Sequence, residues 1–399
     1  MALLSATTLV AQENKNSTRF ELGSGLDISL NDGEHRFNIG GFIQPNGGYR
    51  NVKDGESESY FGIQNAFLAL KGGILNQRYS FLLDVNFADS NPLMDAWMAY
   101  HLKQYLTVSV GQKQTFTNNR EMLFHERNLT MPVRSIASEY FSNTGRELGI
   151  FLQSNLQAGN VIFRPMVAVT SGDGRNSFGS SSIDVDQGGL KYGGRLDILP
   201  LGDFSRGNGQ VGVDFAREEK PKLAVGVAWS YNDGASNAVG EGHGDFSFFD
   251  ENGKSKHPSL RKLSADLLFK WRGFTFMGEY INSTATSLKG SYTSAAADMP
   301  LLPGEIAGYL ALGDGYNFQA GYFFRQGWGV DARFSRVKPE FKDVSQSIIM
   351  ETNEFGVALT KYFIDNRFMC QGYFSYLKNP KLETGNERIN AEISLRLIF

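Results

Sequence analysis

Apolar and polar residues alternate with a period of two along most of this chain. The last twelve residues, Arg388–Phe399, are the clearest case, because Ile389, Ile393 and Phe399 lie among the apolar positions and charged or polar residues stand between them. Such a period predicts a β-strand with one apolar and one polar face. The same pattern recurs in Arg78–Ala88, Tyr105–Lys113, Leu223–Tyr231, Leu263–Arg272 and Trp328–Ser335.

Two details of these segments favour a membrane barrel over a soluble β-sandwich. The apolar faces often end in Trp, Tyr or Phe, as at the two interfaces of a bilayer, and the polar faces carry charges and small residues that suit a water-filled interior. About 16 candidate strands approach the length of roughly 9–11 residues that a tilted spanning strand needs. The chain is therefore predicted to be all-β, with residues 13–399 forming one transmembrane antiparallel up-and-down barrel.

The connections between the strands alternate in length, as an up-and-down barrel requires. Short turns near Lys103–Gln104, Gln157–Gly159 and Arg272–Gly273 predict one end of the barrel, the periplasmic end. Longer polar loops predict the extracellular end. They occupy Ser171–Gly188, Leu199–Lys220, Asn232–Ser259, Asn282–Asp314 and Val337–Met350.

Composition narrows the choice of function. A net charge of −3 gives no general attraction to nucleic acid. The single cysteine, Cys370, excludes an internal disulfide. No apolar run reaches the roughly 18 residues of a membrane helix. Residues 1–12 have the apolar stretch and small residues of a secretory signal, which predicts an exported chain although no basic residue precedes that stretch.

Four stretches resemble the phosphate-selective porin O/P family of outer-membrane proteins, and together they cover about half of the chain. The stretches are Arg36–Gln44, Asn65–Tyr100, Gly111–Asn128 continued by Thr144–Ile150, and Tyr316–Pro339. The resemblance implies a 16-stranded barrel, usually a homotrimer, whose third loop folds inward and narrows the pore.

On this chain the resemblance places the constriction at residues 114–143. It puts the family's Glu-Arg pair on Glu126 and Arg127, and Arg120 and Arg134 lie seven residues to either side of Arg127. Arginine binds anions in a bidentate way, so the three arginines are candidates for an anion-attracting rim. The alternative is that they pair with loop glutamates, including Glu126, and fix the loop to the barrel wall.

Strand parity predicts inward-facing charges of both signs. Because these partly cancel, the sequence favours a general or mildly anion-preferring pore over strict phosphate specificity. The predicted pore-lining residues are Lys113, Asp84, Asp95, Arg164, Lys191, Arg195, Arg333 and Arg396.

The predicted function is passive diffusion of small hydrophilic solutes and ions through the bacterial outer membrane, with lipid and lipopolysaccharide as neighbours. No catalytic, cofactor or metal motif is present, so no enzyme activity, cofactor or metal is expected. Two alternatives stay open. A plugged, structural barrel in an envelope complex would need more interior packing, and a barrel enzyme would need a serine beside His101 or His125.

Overall fold

The computed structural model describes residues 16–176, 188–242, 244–286, 288–341, 347–364, 366–382 and 384–399. The predicted signal at residues 1–12 and most of the predicted loop Ser171–Gly188 lie outside these ranges.

The described chain is almost entirely β-structure, and sixteen antiparallel strands close into a barrel. An N-terminal hairpin, β1 (Ser17–Glu21) and β2 (Gly25–Leu30), precedes them. The barrel strands are β3 (His35–Val52), β4 (Ser57–Ile74), β5 (Tyr79–Asn86), β6 (Leu93–Lys103), β7 (Leu106–Gln114), β8 with its continuation β9 (Arg146–Ser154 and Leu156–Ala158), β10 (Val161–Thr170), β11 (Lys191–Leu199), β12 (Lys222–Asn232), β13 (Ser259–Trp271), β14 (Phe274–Thr286), β15 (Gly313–Phe323), β16 (Trp328–Pro339), β17 (Thr352–Ile364), β18 (Phe368–Lys378) and β19 (Glu387–Ile398).

The barrel closes between its last and first strands. β19 pairs with β3 over the register Arg388↔Val52 to Ile398↔Phe42. β2 pairs with the start of β3, so the N-terminal hairpin extends the sheet below the end of β19. These pairings confirm the predicted all-β antiparallel barrel and its strand number.

Burial follows the predicted period of two. On β17 the side chains of Phe355, Val357 and Leu359 point outward and are 51–52% exposed, while Glu354 and Thr360 point inward and are buried. The outward surface is therefore a continuous apolar band, which suits lipid contact, and the polar face lines the interior.

The helices of the described ranges are short and lie in loops. The α-helices are α1 (Ile136–Phe141) and α2 (Pro303–Ile306), and single 3-10 turns include Arg120–Leu123 and Glu126–Asn128. In the described ranges no helix combines the length and the apolar character needed to cross a membrane.

The two ends of the barrel differ, and one predicted loop belongs to the opposite end. The turns at 104–105, 159–160 and 272–273 mark one end, here called the short-turn end; the other is the loop end. Residues 200–221 follow β11, the eighth barrel strand, so they lie at the short-turn end. The prediction that Leu199–Lys220 is an extracellular loop is wrong. Its polar, Gly-containing composition indicates a loop, whereas only the strand count determines the end.

Candidate functional site

The connection between β7 and β8, residues 115–145 (the third loop), lies inside the barrel. Arg120 donates from Nε to Asp266 (2.7 Å) and from Nη2 to Asp197 (2.8 Å), which are inward-facing residues of β13 and β11. Arg195 pairs with the same two carboxylates. The four side chains form a neutral, buried cluster, so Arg120 lies in the wall contact rather than at an open rim.

The middle of the loop is fixed to strands further round the barrel. Glu121 accepts hydrogen bonds from Ser135 Oγ (2.7 Å) and from Gln319 Nε2 (2.6 Å) of β15. The backbone nitrogen of Ile136, at the start of α1, donates to Glu354 of β17 (3.0 Å). Arg333 of β16 ion-pairs with that same glutamate (2.5 Å) and donates to the loop carbonyl of Val133.

Glu126 and Arg134 belong to a second charged cluster, where the loop meets β6 and β8. Arg146 donates from Nη1 and Nη2 to Glu126 (2.9 and 3.0 Å) and from Nε to Asp95 (2.9 Å). Arg134 lies 3.3 Å from Glu126 and donates to the carbonyl of Phe124. Burial acts to raise the pKa of Glu126, but Arg146 outweighs it and holds that pKa well below its ordinary value.

On the opposite side, near β3–β5, the contacts of the loop are fewer. The His125 ring packs against Phe42 and Phe67, with centroids 5.8 and 4.9 Å away, and its Nε2 lies 2.9 Å from Asp84. Gln64 of β4 donates to the carbonyl of Pro132 (2.7 Å). The third loop therefore reaches the wall on both sides of the barrel.

Several inward-facing side chains are covered at the level of the third loop. Inward-facing residues of five strands around this level are between 1% and 3% exposed. They are Phe42, Gln44, Phe67, Asp84, Gln371 and Ser394.

A second segment, residues 200–221, enters the barrel from the short-turn end, which the sequence did not suggest. Lys270 of β13 donates to the carbonyls of Asn208, Val211 and Val213 at 2.6–2.8 Å. We call this segment the lower insert. The one sequence signal for its location was the strand count, which assigns residues 200–221 to the same end as the tight turns.

The lower insert meets the third loop inside the barrel. Gly212 N donates to the carbonyl of Asn128 (2.8 Å), and the Asn128 side chain donates to the carbonyl of Gln210 (3.1 Å). Phe204 of the insert packs in one buried cluster with Phe124 and Leu129 of the loop. Two inward-folded segments from opposite ends thus share one core.

Between β4 and β8, the interior on the short-turn side of the loop is accessible. We call this space the lower vestibule; its lining includes Asp27, Arg36, Lys71, Trp97 and His101. Lys113 lies over the Trp97 ring (5.1 Å), and Arg127 of the third loop is half-buried. Lys71, Lys113 and Arg127 form no ion pair within the described part of the chain.

The other predicted pore-lining residues face the interior and have partners there. Lys191 ion-pairs with Glu147, and Arg396 donates to Asn366 (3.0 Å) and is buried. Arg164 ion-pairs with Asp203 of the lower insert (2.5 Å) and is partly exposed.

Of the histidines considered for catalysis, His101 does have a serine neighbour. Its Nε2 lies 2.9 Å from Ser80 Oγ, and its Nδ1 lies 3.0 Å from Thr107 Oγ1. A hydroxyl, rather than a carboxylate, therefore orients the ring. Within the described ranges no three His, Cys, Asp or Glu side chains are grouped as metal ligands.

Comparison with known proteins gives a fold and no sequence relative. No family model and no curated protein sequence matches the chain. Among solved structures it resembles OprB of Pseudomonas putida (11% identity, 92% of this chain and 95% of that chain, TM-score 0.55). It also resembles a loop-deletion mutant of OmpT, an outer membrane protein of Vibrio cholerae (8% identity, 92% and 100%, TM-score 0.54). A trimer form of OmpT matches at 8% identity over 91% and 99% of the chains, with a TM-score of 0.51. At such identities the likeness is one of fold, that of bacterial outer-membrane barrels.

Proposed function

We propose that this barrel is a bacterial outer-membrane channel for passive diffusion of small hydrophilic solutes, with a preference for anions. The observation that carries the proposal is the lower vestibule, a water-accessible space inside a membrane-type barrel. Its lining holds Arg36 and Lys71 against the single carboxylate of Asp27, and Lys113 and Arg127 beside it form no ion pair with a described residue. Charges that line a pore set which ions enter it. No cofactor and no catalytic step belong to the proposal.

The path we propose follows the wall formed by β3, β4 and β5. There the third loop is held by the His125 ring contacts, the His125–Asp84 bond and the Gln64–Pro132 bond. On the opposite wall it is held by buried ion pairs. Conduction needs His125 and Pro132 to leave the β3–β5 wall while Glu126 keeps its buried ion pair with Arg146. Contacts that contain no buried ion pair are the easier ones to release.

Anion preference in this proposal rests on Lys71, Lys113 and Arg127 rather than on all three loop arginines. Arg120 and Arg134 are already paired with carboxylates, so their charges are compensated locally. Whether phosphate is favoured over other anions is a separate question, since one aqueous patch of cations attracts any small anion. Membership of the phosphate-selective family remains a prediction.

We further propose that the chain works as a homotrimer in the outer membrane, in contact with lipopolysaccharide. The continuous outward apolar band supports a membrane location, and the trimer form of OmpT shares this fold. Chemical cross-linking of the protein in intact outer membranes, followed by mass measurement of the complexes, tests the trimer. If only the mass of the monomer is found after cross-linking, the trimer is contradicted.

The experiment that tests the channel is conductance of the purified protein in a planar bilayer, with reversal potentials in salt gradients. We expect small, anion-preferring conductance that Arg127→Gln and Lys71→Gln each shift toward cations. Arg261→Gln is the matched control, because it removes one cation from the outward face of β13. Phosphate and chloride gradients measured side by side address phosphate preference.

A second candidate function is a non-conducting structural barrel that binds a partner in the envelope. The covered level around Phe42, Gln371 and Ser394 favours it, because these inward-facing side chains are only 1–2% exposed. The His125→Ala variant separates the two candidates. A channel should conduct more when this contact is removed, whereas a permanently plugged barrel should stay silent in both forms.

A further inference from the structure

A basic cavity opens at the short-turn end, outside the interior path. It has a volume of about 1080 Å³ and lies between the β13–β14 turn, the β15–β16 turn, the end of β17 and the last residues of the lower insert. Five cations line it, against the single carboxylate of Glu219. The cations are Arg217, Lys220, Arg272, Arg325 and Lys361.

Neutral groups hold three of these cations in place and leave their charges uncompensated. Lys361 Nζ donates to the carbonyl of Gln326 (2.7 Å) and lies over the Trp328 ring (5.1 Å). Arg272 lies over the Trp271 ring (5.2 Å). Arg217 donates to the carbonyl of Phe323 and lies over the Tyr322 ring (5.6 Å).

The remaining two cations, Lys220 and Arg325, form no ion pair or hydrogen bond with a described side chain. The cavity thus presents several donors at one place with almost no internal counter-charge. A phosphodiester matches this arrangement, because its oxygens accept charge-assisted hydrogen bonds from guanidinium and ammonium groups.

The position of the cavity along the membrane normal indicates where its ligand comes from. The aromatic residues under the cations face outward, and Trp271, Trp328 and Phe363 are 41%, 42% and 55% exposed. These three residues stand at the ends of their strands, where the aromatic girdle of a membrane barrel lies at the level of the lipid headgroups. Phe363 also lines the cavity, so its wall continues into the surface that contacts acyl chains.

We propose that this cavity binds the phosphodiester headgroup of an anionic phospholipid in the leaflet on the short-turn side. Lys220, Arg272 and Arg325 contact the phosphate, and the acyl chains lie along Phe363 and Trp328. The inference rests on the membrane location in the proposed function, but not on conduction.

Native mass spectrometry of the detergent-solubilised barrel tests the proposal, with phosphatidylglycerol, phosphatidylcholine and inorganic phosphate as separate probes. We expect one phosphatidylglycerol to bind at least about tenfold more tightly than phosphatidylcholine, and inorganic phosphate to bind far more weakly than either lipid. The double variant Lys220→Gln with Arg325→Gln should lose that preference. Lys103→Gln with Arg206→Gln is the control, because both residues are exposed cations near the same end and outside the cavity.

Three results would overturn the proposal. They are an unchanged preference for phosphatidylglycerol in the double variant, equal loss in the control, and inorganic phosphate binding as tightly as the lipid. The last would indicate a site for free anions. Conductance of the double variant should equal that of the parent, because the cavity lies outside the proposed path. If the parent does not conduct but still prefers phosphatidylglycerol, the result counts against the proposed function and not against the lipid site.

Discussion

The third loop is held by opposite means on the two sides of the barrel. Toward β11–β18 it is fixed by buried charge clusters, one of which consists of Arg120, Arg195, Asp197 and Asp266. Toward β3–β5 it is held by an imidazole against two phenyl rings and a few hydrogen bonds. The same loop therefore has a fixed side and a releasable side, and the unpaired interior cations lie near the second.

The largest expected effect is the loss of one member of the buried cluster. Arg120→Ala leaves two buried carboxylates with one cation, which should lower the free energy of unfolding by about 3–5 kcal/mol. The matched variant Arg127→Ala, in the same loop but without an ion pair, should change it by less than about 0.5 kcal/mol. Urea titration in lipid vesicles measures both. Equal effects would mean that the two sides do not differ.

The next effect concerns the releasable side. His125→Ala removes the contacts with Phe42, Phe67 and Asp84, which should cost about 1–2 kcal/mol of loop anchoring and raise single-channel conductance several-fold. His35→Ala is the control, because that ring lies at the start of β3 outside the vestibule lining, where its Nδ1 accepts from Leu75 N (3.4 Å). Conductance unchanged by His125→Ala, or raised equally by both variants, would contradict the proposed path.

Acid should weaken the ion pairs that hold the third loop through two buried carboxylates, Glu126 of that loop and Glu241 of the connection between β12 and β13. Burial acts to raise the pKa of Glu126 and of Glu241, but Arg146 and Lys262, respectively, lower both pKa values below the ordinary 4.5. A depressed folded pKa contributes stability above pH 4.5 that is lost as the pH falls through the folded value. Glu241 accepts a hydrogen bond from Asn143 N (2.7 Å), so its protonation loosens the end of the loop.

Conductance recorded at successive pH values checks this expectation. It should change below pH 4.5, and Glu126→Gln should remove part of that change. Burial and the neighbouring Glu354 raise the pKa of Glu139, in α1 of the same loop, to about 7, so a separate change near neutral pH should persist in Glu126→Gln. Conductance that does not change below pH 4.5 would contradict the role of Glu126.

The smallest effect is expected at the accessible edge of the interior. Arg164 and Asp203 form an ion pair whose side chains are 32% and 46% exposed. Water screens such a pair, so Asp203→Asn should lower the free energy of unfolding by less than about 1 kcal/mol. A loss as large as that of Arg120→Ala, measured by the same urea titration, would erase the distinction between buried and accessible charges.

Sequence reasoning reached the barrel because strand alternation is a local property. The outward faces of β17 and β19 follow directly from residues two apart, and so does the inward direction of Asp84, Lys191 and Arg333. Which inward charges pair does not follow, because Arg120 meets Asp266 only when strands far apart in the chain close into one ring. The pattern therefore predicted interior charges of both signs but not their division into a paired side and an unpaired one.

The lower insert escaped prediction for a related reason. A polar stretch with glycines, such as residues 200–221, predicts a loop at either end, and its entry into the barrel depends on the carbonyls that face Lys270. For Arg127 the position in the loop was predicted from a resemblance, but its surroundings were not. Arg120 and Arg134 have carboxylate partners and Arg127 has none within the described residues, and this difference is visible only in the structure.

The contact between Asn128 and the Gly212 backbone gives this barrel a mechanical property. The third loop begins and ends at one surface of the membrane and the lower insert at the other, yet two hydrogen bonds join them. A force or a bound molecule that displaces either segment must strain or break that joint.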